Sequence, residues 1–254
     1  MLVFAAIYHG MEKAYKYFLS SFYESICKEK FDKVKKEFFI EKCCHTTTQI
    51  FYFTFVTVWG YKVLVNTDWL PYGLGGSLPI KIAADNAMVG MPFATVPESV
   101  VNFCMITMGY HFHDLIHHVL FKKKQTDYYE MLLHHIIALT LYFCMNFGGV
   151  MGLGSVVSYL HYIADIPTAL VRLVNSTIYF DKSIPIFFFF IGCWFWTRIL
   201  IFSQIVYALF VFPHSEVCMT FMMINFVFLS ILLCIHVFYL FLCLDIVFNR
   251  IRKG

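Results

Sequence analysis

Long apolar runs with short polar connections dominate this sequence. A helix needs about 20 mainly apolar residues to span a bilayer, and six runs qualify or nearly do: about 46–65, 95–121, 131–147, 150–171, 184–212 and 219–248. Only 14% of the residues are charged and 60% are hydrophobic, whereas soluble domains are about 25% charged. A soluble fold of this size could not bury so much apolar surface, so we predict an all-α polytopic membrane protein with six spans.

Lysine and arginine predict how those spans are oriented. With six spans, the segments 1–45, 122–130, 172–183 and 249–254 lie on one side and hold eight, three, two and three basic residues, sixteen of the nineteen. The opposite side holds only Lys62 and Lys81, and Arg198 lies inside the fifth span. Because basic residues concentrate on the cytoplasmic side of membrane proteins, both termini are expected there, in the cytosol or an equivalent such as the mitochondrial matrix.

The chain divides into an arm (1–45), a membrane domain (46–248) and a basic tail (249–254). Helical spacing in the arm relates five apolar and aromatic residues: Tyr8, Met11, Tyr15, Phe18 and Phe22. Charged residues occupy its other faces, so we expect an amphipathic helix on the membrane or on a partner. The first residues lack the basic region of a secretory signal. The connection 66–94, rich in Pro and Gly, is expected to lie against the membrane surface.

Nine cysteines are scattered through the sequence, and none forms a CxxC pair. Such spacing favours neither a zinc site nor a disulfide framework. We expect these cysteines to serve as small core residues.

Ionisable residues inside the apolar runs are the candidate functional groups, because they are costly at membrane depth. His134 and His135 open the third run, while His161 and Asp165 are four residues apart and share a face of the fourth. Further polar residues lie in the second, fifth and sixth runs: His111, His113, Asp114, His117, His118, Arg198 and His236. At 1.5 Å per residue, most lie in one half of the bilayer. This predicts a shared polar cavity, with His134 or His135 within about 10 Å of His161 or Asp165. The alternative is a set of interhelical hydrogen bonds.

The order of these residues resembles the TLC-domain family, the membrane domain of ceramide synthases and their relatives. The stretch from Gly109 to Leu115 is followed by a basic residue, Asp127, an aromatic residue and the pair His134-His135. Asn146, Gly148 or Gly149, and the second motif His161-Tyr162-Ile163-Ala164-Asp165 come next, and the aromatic surroundings of Arg198 fit the later part. The resemblance covers roughly residues 46–248 and implies a six-span core.

By position, the resemblance implies that four residues are catalytic in acyl transfer: His134, His135, His161 and Asp165. Five others are expected to contact lipid: His111, Asp114, His118, Arg198 and His236. A carboxylate beside an imidazole orients that imidazole and raises its basicity, which suits general-base catalysis. Two positions depart from ceramide synthases, because Tyr162 replaces an Asp and Ala164 replaces a common Ser. We therefore expect a lipid- or acyl-binding protein with weak or no ceramide synthase activity.

Three other functions stay open at this point. The first is a structural subunit of a large membrane complex, for example in the mitochondrial inner membrane. The second is an active sphingoid-base N-acyltransferase, with acyl-CoA as its substrate. The third is a di-metal lipid hydroxylase or desaturase, because His113, His117 and His118 form an HxxxHH pattern. No cofactor or metal is firmly implied. Membrane lipids and possible membrane subunits are the expected partners, nucleic acid is not, and the family resemblance points to the endoplasmic reticulum.

Overall fold

The computed structural model describes residues 2–27, 33–91, 93–121, 128–175, 177, 184–211 and 216–253. Its helices are α1 (Leu2–Ser25), α2 (Lys33–Leu64), α3 (Ile80–Met88), α4 (Glu98–Phe121), α5 (Tyr128–Phe147), α6 (Met151–Asn175), α7 (Ile184–Trp194), α8 (Phe202–Val211) and α9 (Glu216–Lys253). A π-helix, Phe195–Ile201, joins α7 to α8 without a break. No strand occurs in these residues, so the all-α prediction is confirmed for them.

Three helical stretches in the described part of the chain are long and apolar enough to cross a membrane. They are Tyr128–Phe147, Ile184–Val211 and Met219–Asn249. The helices α2, α4 and α6 have 32, 24 and 25 residues, which is also enough to span. These three helices contain many of the histidines and buried threonines, which lower their hydropathy. They are therefore not among the three strongly apolar stretches.

The core lies where α2, α4 and α6 pack together. The most extensive helix pair is α2 with α6, and both contact α4. Val56, Phe103 and Leu160, one from each helix, are fully buried. Gly60 permits this close approach, because a Cβ there would lie 2.9 Å from the Phe103 ring and 3.0 Å from the Tyr159 ring.

The connection 66–94 is more deeply packed than predicted. It contains α3, which contacts α6 and α8. Four residues on one face of α3 are buried: Ala83, Ala84, Ala87 and Met88. Small alanine side chains let α3 approach the core, and the expected position of this segment against the membrane surface stays a prediction.

The N-terminal arm forms a helix, but its predicted aromatic face is divided. Tyr8 is buried, and the ring of Tyr15 stacks on that of Phe51 with centroids 5.3 Å apart. Met11, Phe18 and Phe22 are exposed instead. The prediction that this helix lies on the membrane or on a partner stays a prediction. Their exposed side chains are free to face lipid or another protein.

Polar contacts also attach the arm to the bundle. Glu12 Oε1 accepts a hydrogen bond from His45 Nδ1 at 2.9 Å, and the Tyr23 hydroxyl bonds the Thr47 hydroxyl. Burial by itself would raise the pKa of the Glu12 carboxyl, but the hydrogen bond and charge of His45 hold this pKa below its usual value. The arm is thus joined to α2 near the middle of α1 and near its C-terminal end.

Two irregularities shape the helices around the site. Pro167 lies inside α6, and proline cannot donate the backbone hydrogen bond that the carbonyl of Ile163 would receive. The Cys193 thiol of α7 donates to that carbonyl at 3.8 Å. The π-helix after α7 contains Arg198, and π-helical turns occur often at functional sites.

Candidate lipid cavity

A partly open cavity lies between α4, α5, α6, α9 and the π-helix. On α5 its wall extends from His134 to Met145, which is about 16 Å at 1.5 Å per residue. Aliphatic side chains such as Leu141, Val157 and Leu229 form most of the wall. The ionisable lining residues are His111, His134, His161, Asp165 and Arg198. The cavity wall is therefore mostly apolar, and it carries ionisable residues at one end.

Three histidines from three helices meet at the polar end. The ring of His236 lies 5.0 Å from that of His161 and 6.3 Å from that of His134, measured between centroids. His161 Nδ1 donates to the carbonyl of Val157 at 2.7 Å, so the proton of the neutral ring is on Nδ1. His161 Nε2 is buried and has no hydrogen-bond partner. It therefore keeps a lone pair that could accept a proton or a hydrogen bond from a ligand.

Arg198 organises this end of the cavity from the π-helix. Its Nη1 donates to His236 Nε2 at 3.1 Å, and its Nη2 donates to the carbonyl of His161 at 3.3 Å. It also forms an ion pair with Asp165, and its guanidinium lies 4.4 Å from the centroid of the Trp194 ring. Arg198 is buried, so these partners supply the neutralisation and hydrogen bonding that a buried cation requires.

Tyr162, which replaces the expected Asp of the second motif, lies behind the cavity wall. Its hydroxyl is 3.3 Å from that of Tyr142 and 3.1 Å from His111 Nε2. Tyr162 is fully buried, and so is Ala164. This position therefore links α4, α5 and α6 through a tyrosine–histidine network and provides no carboxylate.

The second histidine of the His134-His135 pair faces away from the cavity. His135 Nε2 is 3.7 Å from Asp114 Oδ2, and its ring centroid is 5.2 Å from that of His118. His118 Nε2 bonds the carbonyl of Tyr128 at 2.9 Å. None of these three side chains lines the cavity, although the sequence predicted His135 as catalytic and the other two as lipid-binding.

The structure separates the members of the HxxxHH pattern. His113 and His117 point toward the arm, where their rings lie beside those of His9 and His45. His118 contacts α5 instead. Because i and i+4 residues share a helix face and the next residue is about 100° away, these three do not converge on one site.

Comparison with known proteins agrees with this geometry. A sequence profile for the TLC domain matches residues 42–245. The chain belongs to the TLC-domain family. All the cavity residues named above lie within the matched region, whereas α1 lies outside it. The family resemblance predicted from the motifs is confirmed.

The relatives of this TLC domain include two longer ceramide synthases. Ceramide synthase hyl-1 of Caenorhabditis elegans is 26% identical over 160 residues, which are 61% of this chain and 39% of that protein. Human ceramide synthase 4 is 25% identical over 216 residues, 84% of this chain and 52% of the relative. The chain therefore spans about half or less of the length of these relatives. The family match and the apolar helices together fit an integral membrane protein.

Some polar residues of this TLC domain's cavity carried no signal in the sequence. Tyr142, Ser158 and Asn225 line the cavity. Single hydroxyl or amide residues in apolar helices are common packing groups, so only the tertiary structure distinguishes these three. Of the nine predicted site residues, those brought to the polar end are His111, His134, His161, Asp165, Arg198 and His236.

Proposed function

We propose that this TLC protein binds the acyl chain of a membrane lipid in the cavity and has weak or no ceramide synthase activity. The supporting observation is the shape and polarity of the cavity. Its wall is mostly apolar over about 16 Å and ends at His134, His161 and Arg198. This arrangement matches an amphiphile, whose chain would lie along the wall and whose polar group would meet the histidines.

Weak acyl transfer is proposed because the general-base apparatus is incomplete. Asp165 is paired with Arg198, while His161 Nδ1 is bonded to a backbone carbonyl. No described carboxylate is therefore bonded to His161 to raise its basicity. Losing one positioned acid–base group typically costs about 10²–10⁴-fold in rate.

A photoreactive fatty acid tests the binding proposal. Purified protein in nanodiscs is irradiated with a diazirine-labelled long-chain fatty acid, and labelled peptides are mapped by mass spectrometry. Labelling is expected on the cavity side of α5 and α6. Val157→Trp, which fills the cavity, should weaken labelling about fifteenfold if it excludes two methylenes worth about 0.8 kcal/mol each.

Val227→Trp is the matched control, because Val227 is exposed on α9 and outside the cavity. It should leave labelling unchanged. Equal labelling of both variants, or labelling confined to the outer helix faces, would contradict acyl binding in this cavity.

An acylation assay tests the second half of the proposal. Purified protein is incubated with a long-chain base and acyl-CoA, beside the variants His161→Ala and His135→Ala. We expect a rate about 10²–10⁴-fold below that of an active ceramide synthase. Robust N-acylation that His161→Ala abolishes would establish the protein as an N-acyltransferase.

For the membrane arrangement, we propose six spans with both termini on the lysine-rich side. The helices α2, α4 and α6 would complete the three strongly apolar stretches. The endoplasmic reticulum is proposed as the location from the family relationship, and the mitochondrial inner membrane is the alternative.

An accessory subunit of a membrane complex is the second candidate function. It is favoured by the aromatic side chains that α1 leaves exposed, because Tyr17 and Phe18 are 80% and 74% accessible. Gentle detergent extraction followed by size-exclusion chromatography tests this function. Constant stoichiometry with the same membrane proteins is expected of a subunit, and Phe18→Ala/Phe22→Ala should reduce it. A monodisperse single chain would contradict this candidate.

A further inference from the structure

Five side chains that commonly bind metal ions meet outside the cavity, where α1 crosses α2 and α4. Glu12 Oε1 and His45 Nδ1 are 2.9 Å apart, and the rings of His45 and His117 stack with centroids 4.7 Å apart. His113 stacks beside His117 at 6.3 Å, and His9 lies 6.1 Å from His113. The group combines residues from three helices, α1, α2 and α4.

The distances between the ligand atoms are close to those of a metal site. One ligand atom from each of Glu12, His45 and His117 lies within 4.8 Å of the others. A second triad with the same property is His9, Glu12 and His113. Zinc–nitrogen bonds are about 2.0–2.1 Å long, so two ligands of one ion are at most about 4.2 Å apart. Small side-chain rotations would bring either triad to that distance.

Unsatisfied nitrogen atoms point independently to a missing ligand. His45 Nε2 and His113 Nδ1 are buried and have no hydrogen-bond partner. A buried polar atom without a partner costs about 1–3 kcal/mol. Two such atoms on neighbouring helices at one junction are unfavourable for packing alone, and a metal ion bound through an imidazole nitrogen would satisfy such an atom.

We propose that Glu12, His45 and His117 bind one divalent transition-metal ion of zinc-like chemistry, with His113 and His9 as adjoining ligands. Two imidazoles and one carboxylate form a ligand set that zinc and similar ions accept. His9 is exposed and Glu12 is partly buried, so an ion could reach the site from the surface of the chain.

The ion would fasten the arm to the membrane domain. Glu12 belongs to α1, His45 to α2 and His117 to α4, so a single ion would link all three helices. Metal-linked helices gain stability in proportion to the binding free energy. The arm should therefore be held more tightly when the ion is bound.

Metal titration of the full-length chain tests the site directly. The protein is purified in nanodiscs, treated with EDTA, and titrated with Zn²⁺ against an indicator chelator and with Co²⁺ by visible absorption. About one equivalent of either ion should bind the wild-type chain. Glu12→Gln and His45→Asn should each lower the affinity by at least about tenfold. This is a lower bound, because loss of a residue that only supports a metal ligand already costs about 10–100-fold in affinity.

Matched controls separate this site from other histidines and carboxylates. Glu24→Gln changes a mostly exposed carboxylate of the same helix, and His134→Asn changes a histidine of the cavity. Both should bind the ions like wild type. No saturable binding by wild type, or full binding by Glu12→Gln and His45→Asn, would overturn the proposal, and so would a loss confined to His134→Asn.

Limited proteolysis of the wild-type chain, with and without Zn²⁺, measures whether the ion holds the arm in place. Lys13 and Lys16 of α1 are exposed and are sites for trypsin. Zn²⁺ should slow cleavage there in wild type and have no effect in Glu12→Gln. Equal cleavage of the wild-type chain with and without Zn²⁺ would show that the ion does not fasten the arm and would overturn that part of the proposal.

Discussion

At the scale of single residues, Arg198 pairs with two of the polar residues at the end of the cavity. A buried guanidinium is stable only with well-placed partners, and Arg198 has Asp165 and His236. These contacts hold Asp165 as a counter-ion. The residue that the family motif would assign to acid–base work is therefore paired with a cation in this structure.

Breaking this pair should be far more costly than replacing it. Arg198→Met leaves the Asp165 carboxylate without its cation, and loss of one partner of a buried pair costs about 3–5 kcal/mol. The double variant Arg198→Met/Asp165→Leu should recover most of that loss, since apolar replacement of a buried pair is often neutral. Thermal unfolding in detergent measures both. Arg252→Met, at an exposed position, is the control, and equal losses in the single and double variants would contradict the pairing argument.

Cys43 illustrates how burial controls reactivity where the arm meets α2. It packs with Tyr23, Phe39 and Cys44, and burial raises the pKa of its thiol to about 12. Because the thiolate is the reacting form, Cys43 should be nearly inert near neutral pH.

Alkylation kinetics test this expectation. At pH 8 a thiol of pKa about 12 is only about 10⁻⁴ thiolate, so iodoacetamide should modify Cys43 at least about a thousandfold more slowly than a free thiol. The rate should rise about tenfold per pH unit as pH increases toward the pKa. Peptide mass spectrometry follows the reaction. Ser25→Cys, at an exposed position, provides a reactive reference, and comparable rates at the two sites would contradict the prediction.

At the scale of secondary-structure elements, glycine sets how closely helices approach. Gly152, at the start of α6, faces α3, and a Cβ there would lie 2.7 Å from the backbone oxygen of Ala87. Gly192 in α7 has open space at the corresponding position. The two glycines thus differ in tertiary role although both are helical.

Alanine substitution should distinguish these two glycines. Gly152→Ala forces α3 away from α6 and should destabilise the fold by about 1–3 kcal/mol, the usual cost of overpacking. Gly192→Ala should be neutral or stabilising by up to about 1 kcal/mol, because alanine favours helix more than glycine does. Thermal midpoints of the purified variants measure this difference. A Gly152→Ala protein as stable as Gly192→Ala would show that α3 does not pack as described.

At the scale of the whole molecule, charge asymmetry and helix polarity are the basis of the six-span proposal. Three stretches have strong membrane-spanning character. The more polar helices α2, α4 and α6 are shielded by their mutual packing, which lets polar side chains enter a bilayer at lower cost.

Accessibility of terminal tags tests the six-span proposal. When protease is added to sealed microsomes, tags fused to the two ends should either both be digested or both be protected. The reason is that an even number of spans returns the chain to its starting side. A cysteine introduced by Ser77→Cys, in the connection before α3, should label from the opposite side. Opposite behaviour of the two tags would exclude six spans.

The sequence alone determined the helical class, the family and which ionisable residues lie inside the apolar runs. These properties depend on the amount and period of apolar residues and on the order of a few motif residues, all of which are local. The shared face of His161 and Asp165 follows from their four-residue spacing in the same way, and both line the cavity.

Only the tertiary structure decided which polar residues share a site. Neighbours in a helix point about 100° apart, so His134 faces the cavity while His135 faces Asp114, and sequence position cannot tell which of the two faces inward. The same reason separates His117, beside Glu12 and His45, from His118. These partners come from helices distant in sequence, and their meeting depends on the packing of the whole bundle.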